Sequence, residues 1–154
     1  MAAYQQANLC LDNQWPRSPV IQELDLPILE SLWTMASVDD FNRDGSNDLL
    51  LRNPTTGKNH LRFMDAINLM EEMEFQELGP TWDIVGADDF NSDGQIDILL
   101  RNPTTGKNYV WFTDGTQVTE ARDIQELGPQ WKVATTGDFN NDEFADLLLR
   151  QANG

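Results

Sequence analysis

The stretch WDIVGADDFNSDGQIDILLRNPTTGKN, running from Trp82 to Asn108, decides how this chain is read, because it occurs twice. The segment from Trp33 to Asn59 matches it at 18 of 27 positions without a gap. A third copy begins at Trp131 and runs to Arg150. Trp33, Trp82 and Trp131 stand 49 residues apart, as do Phe41, Phe90 and Phe139, and Arg52, Arg101 and Arg150. A period that does not drift over three copies marks a repeat architecture.

Working outward from that stretch, one period reads as four strands. Trp82 to Ala87 is short and rich in β-formers, and Ile96 to Arg101 is a continuous apolar run, the pattern of a strand buried on both faces. Asn102 to Asn108 is turn chemistry, with Pro early and Gly late. Tyr109 to Phe112 is a third strand, Asp114-Gly115 a turn, and Val118 to Gln125 a more polar fourth strand suited to a wet outer edge. Four strands in about 49 residues, without helical periodicity, is the size of one β-propeller blade. The expected fold is all-β, with blades of four antiparallel strands on a 49-residue repeat and three blades per chain. Residues 1–29 read as an outer half-blade, 30–78 and 79–127 as full blades, and 128–154 as an inner half-blade. In the first segment Leu9 to Asp12 lines up with Trp111 to Asp114, and Val20 to Leu24 with Asp123 to Leu127.

Each period carries one acidic loop with the pattern D-x-N-x-D-G-x-x-D: Asp40 to Asp48, Asp89 to Asp97 and Asp138 to Asp146. The third departs from it, with Glu143 in place of Gly45 and Gly94. Side-chain oxygens at positions 1, 3, 5 and 9 suit a hard cation such as calcium, which takes six to eight oxygen ligands. Position 7 can add a backbone carbonyl, and Gly at 6 permits the sharp bend. An EF-hand opens in the same way but needs Glu at position 12, where this chain has Leu51, Leu100 and Leu149. The plain alternative is a hydrated Asp/Asn turn between strands, and the threefold recurrence argues against it.

With Trp before and Leu-Leu-Arg after, these loops resemble FG-GAP/VCBS-type calcium-binding β-propeller repeats. Integrin α-subunit propellers and the seven-bladed lectin of Psathyrella velutina belong to that family. The resemblance implies calcium between the first two strands of each blade. Position by position, it implies Asp40, Asn42, Asp44, the Ser46 carbonyl and Asp48 as ligands in the first loop. In the second they are Asp89, Asn91, Asp93, the Gln95 carbonyl and Asp97. In the third they are Asp138, Asn140, Asp142, the Phe144 carbonyl and Asp146, with Glu143 weakening that site. The resemblance also implies an extracellular location and a lectin-like or adhesion role.

Composition narrows the partners. The chain has 154 residues, of which 26 are acidic and 10 basic, a net charge of −16. Such a surface repels phosphate backbones and anionic membranes, so neither nucleic acid nor membrane is an expected partner. The start of the chain reads as no signal peptide, no apolar run approaches a membrane span, and the chain reads as soluble. The lone Cys10 allows no internal disulfide. With a single histidine, His60, and no nucleophile motif, no enzyme is expected.

The remaining aromatics divide into core and ligand candidates. Trp33, Trp82, Trp131 and the three loop phenylalanines read as packing between blades. Trp15, Tyr109 and Trp111 are the candidates for binding a glycan or protein ligand, packing being the alternative for the last two. Three blades are too few to close a ring, so a homodimer completing six blades is expected, the rival reading being a part of a longer seven-bladed chain. The function expected is a calcium-stabilised, non-catalytic binding module, with carbohydrate as ligand and a protein-interaction scaffold as the alternative.

Overall fold

The computed structural model describes the backbone of residues 8–11 and 21–24 and the whole of residues 32–151. The chain divides into two units, Met1–Ser31 and Leu32–Gly154. In the first, β1 (Asn8–Leu11) and β2 (Ile21–Leu24) pair antiparallel, with Leu9 opposite Glu23. The positions aligned with Leu9 in the later repeats, Arg62 and Trp111, face Glu72 and Ala121. Their partners lie 10 residues on (72−62 and 121−111), whereas that of Leu9 lies 14 on (23−9), so the first hairpin has its own register.

The second unit contains three antiparallel sheets. The first has the order β3-β4-β5-β6, formed by β3 (Thr34–Asp39), β4 (Asp48–Arg52), β5 (Asn59–Asp65) and β6 (Asn68–Phe75). The second repeats it with β7 (Asp83–Asp88), β8 (Asp97–Arg101), β9 (Asn108–Thr113) and β10 (Val118–Ile124). The third is a two-stranded sheet of β11 (Trp131–Gly137) and β12 (Asp146–Gln151). Every described strand is antiparallel and sequential, with no helix among the described residues, as a β-propeller-like repeat fold requires.

The repeat extends to the irregularities of its pairing. The pairing slips between Met35 and Ser37, between Ile84 and Gly86, and between Val133 and Thr135, positions spaced by 49 residues. A bulge recurring at one position bends each innermost strand in the same way.

Packing explains the apolar runs. Ile98 and Leu100 of β8 join Trp111 in a core shared with Phe41, Leu50, Leu61 and Phe75 of the first repeat. Leu99, between them, points to the other face with Val110 and Phe112, where Val133 and Leu147 of the third repeat pack. A strand covered on both faces has no polar side to show, so it reads as a run rather than an alternation. The outer strand β10 is exposed along most of its length, as its polar sequence predicts.

One arginine in each of the first two repeats locks its sheet to the next. The Arg52 guanidinium donates to the carbonyls of Gly57, Leu78, Gly79 and Trp82 and to Asn59 Oδ1. Arg101 does the same to Gly106, Leu127, Gly128, Trp131 and Asn108. Both guanidinium groups thus hold backbone carbonyls and one Asn side chain, and neither donates to an aspartate of the acidic loops. The turns they close need glycine: Gly57 and Gly106 have φ of 83° and 82°, and a Cβ on either would strike the carbonyl of Leu78 or Leu127.

Candidate metal-binding loops

The acidic loops join the first two strands of each repeat: β3 to β4, β7 to β8 and β11 to β12. All three fold onto their own first aspartate. Asp40 Oδ1 accepts the Asp44 N–H at 3.0 Å, and its Oδ2 accepts the Gly45 N–H at 2.9 Å. Asp89 takes Asp93 and Gly94 in the same way, at 3.2 and 2.7 Å. Asp138 takes Asp142 and Glu143 at 3.1 and 3.0 Å. The fifth-position aspartates Asp44, Asp93 and Asp142 accept the N–H two residues on, from Ser46, Gln95 and Phe144. Asn42 and Asn91 donate through Nδ2 to Asp44 and Asp93.

Two left-handed residues give each loop its curl. They are Arg43 and Gly45, Ser92 and Gly94, and Asn141 and Glu143, with φ between 61° and 90°. Glu143, at φ 72°, therefore holds a conformation that costs an L-residue roughly 1–2 kcal/mol. The strain expected from the missing glycine is present.

The ninth-position aspartates separate the loops. Asp48 is fully buried; its Oδ2 accepts the Phe41 N–H at 3.0 Å and its Oδ1 the Met64 N–H at 2.9 Å. Asp97, equally buried, accepts Phe90 and Thr113 at 3.1 and 3.0 Å. Each thus ties its loop to the third strand of its own sheet. Asp146 is half-buried; it accepts the Phe139 N–H at 3.2 Å, and its Oδ1 meets only Asn140 Nδ2 at 3.5 Å. Burial pushes the Asp97 carboxyl up to about 6 against its N–H donors, with the charges of Asp93 and Asp89 adding to the rise. Burial raises Asp48 as well.

The loops lie side by side. The Arg43 guanidinium of the first reaches the second, so that a Cβ on Gly94 would stand 3.1 Å from its Nη2. The Ala145 N–H of the third donates to the Asp89 carbonyl of the second at 3.1 Å. These bridges escape the sequence pattern, because position 4 differs in every copy: Arg43, Ser92 and Asn141.

The donor set fits calcium in kind: hard carboxylate, amide and carbonyl oxygens within nine residues. No loop aspartate takes part in an ion pair among the described residues. The fit does not extend to a ready-made cage, since no three His, Cys, Asp or Glu side chains among the described residues come together around one point. The carboxylates are turned onto the loop's own N–H groups instead.

The aromatic candidates are placed as follows. Trp111 is only 9% exposed and meets Phe75 edge-on at 6.4 Å between centroids. Tyr109 is half-buried and meets Trp82 in the same way at 5.1 Å. Trp15 lies outside the described residues. His60 accompanies Glu72 at 2.8 Å and meets the Trp33 ring at 4.6 Å. Phe41 is buried as expected of a core residue, whereas Phe139 is exposed, because the third sheet has no neighbour on that side among the described residues.

No helix among the described residues is long and apolar enough to cross a membrane. No curated protein and no solved structure matches this chain. A family model described as an FG-GAP-like repeat matches residues 89–149, from the second acidic loop to the end of the third repeat's apolar run. That match points to a binding or protein-interaction module.

Proposed function

We propose that this chain is a calcium-stabilised, non-catalytic binding module. The observation that supports it is the same nine-residue oxygen-rich loop built three times, with its carboxylates held in place but, among the described residues, paired to no cationic side chain. Calcium, when bound, supplies charge neutralisation. The chain's own part is to hold Asp40, Asp89 and Asp138 at the loop entrances and to anchor Asp48 and Asp97 in the sheets. The ligands proposed are those named above, position by position, in all three loops. Thermal melting tests this reading. At one hundred times the dissociation constant of one site, calcium adds about 2.7 kcal/mol, or roughly 5–10 °C in a domain of this size. Equal midpoints in EDTA and in millimolar calcium would overturn it.

For the ligand we propose carbohydrate, on the resemblance to lectin blades. The alternative is a protein partner bound by an adhesion-type scaffold, and it draws support from the FG-GAP-like match. A glycan array run with calcium and with EDTA separates the two. Calcium-dependent sugar binding supports the first, and an array blank in both conditions favours the second.

A further inference from the structure

The three sheets stack by one rule, and the rule leaves two faces open. Phe41 and Leu50 of the first sheet pack in one core with Ile84, Ala87, Ile98 and Leu100 of the second. The same positions of the second sheet, Phe90 and Leu99, pack with Val133 and Leu147 of the third. Their equivalents in the third sheet, Phe139 and Leu148, are 58% and 50% exposed. At the other end, Met35 and Val38 stand at the positions of Ile84 and Ala87, and they are 53% and 44% exposed. One end of the stack thus presents the face that the other end is shaped to cover. In addition, among the described residues β12 pairs only with β11, whereas β4 and β8 are paired on both edges.

We propose that the first sheet of a second copy of this chain covers the outer face of the third sheet, in a head-to-tail contact. The occupant is argued from the repeat itself, because this contact already forms twice within each chain. Each copy carries both faces, so two copies close the stack by making the contact twice. The contact does not depend on calcium.

Light scattering after size exclusion tests this on the whole chain. The wild type should show the mass of two chains. Leu148→Asp and Met35→Asp each bury a charge in the contact and should lower the mass to one chain, weakening association at least about tenfold. Both positions are exposed within one chain, so far-UV circular dichroism of the variants should match the wild type. Should either aspartate unfold its sheet, Leu148→Ser and Met35→Ser should give the same shift. Mixing the Asp variants in equal amounts should restore the two-chain mass, because one contact then joins two unaltered faces. A wild type of one chain, or of three or more, overturns the proposal. A two-chain mass that neither substitution lowers, or a mixture that stays at one chain, overturns it as well.

Discussion

The second and third sheets share one sequence plan, yet equivalent residues live in different surroundings. Leu99 is sealed between neighbours and Leu148 faces outward; Arg101 is buried among five acceptors and Arg150 is exposed. Asp97 is gripped by a third strand, while Asp146 has no such strand beside it among the described residues. The difference teaches that a repeat residue owes its role to the sheet on either side of it, as repeat proteins generally draw stability from interfaces between neighbours.

The largest expected effect lies in the apolar pair. Leu99→Ala should cost about 2–5 kcal/mol in chemical denaturation, the range for a buried leucine. Leu148→Ala, measured at a dilution where copies are separate, should stay within about 0.5 kcal/mol. Equal losses at the two positions would break the comparison.

The arginines come next. Arg101→Ala leaves five acceptors short of a donor, several of them carbonyls that close the link between sheets, and should cost about 2–3 kcal/mol. Arg150→Ala should change stability by no more than about 0.5 kcal/mol, as an exposed substitution does. Matched denaturation midpoints for the two variants would show that the network contributes little.

The loops should respond more gently and in opposite directions. Gly94 has φ 80° and Glu143 φ 72°, so Gly94→Ala adds strain where Glu143→Gly removes it. Calcium-free melting should show a loss and a gain of about 1 kcal/mol respectively. The sign of the two shifts is the readout.

The smallest effect expected is in calcium affinity. In calorimetry the third loop should bind severalfold more weakly than the other two, since its ninth-position carboxylate lacks the backbone anchor that Met64 and Thr113 provide. Three equivalent sites would count against that distinction.

Much of this was legible in the residues. The strands predicted over Trp82–Ala87, Ile96–Arg101, Tyr109–Phe112 and Val118–Gln125 appear within a residue or two as β7 to β10. The all-β arrangement follows, because apolar runs bounded by Asn-Pro-Thr-Thr-Gly turns have no other easy geometry. The loops were legible as well, since alternate Asp and Asn residues bond the backbone two to five residues on. What escaped were contacts between repeats: the reach of Arg43 to the second loop, the Ala145–Asp89 bond, and the exposure of Phe139 where Phe41 is buried. Each depends on a neighbour far away in sequence.

By itself, then, the sequence determined the repeat, the strand plan and the curl of the acidic loops, because hydrophobic pattern and turn chemistry act over a few residues. Tertiary structure alone decided which face of each strand is covered and which carboxylates are anchored. It also decided that the arginines hold carbonyls rather than aspartates. Burial and hydrogen-bond partnership belong to pairs of surfaces, and identical residues at identical repeat positions part company once one of those surfaces is missing.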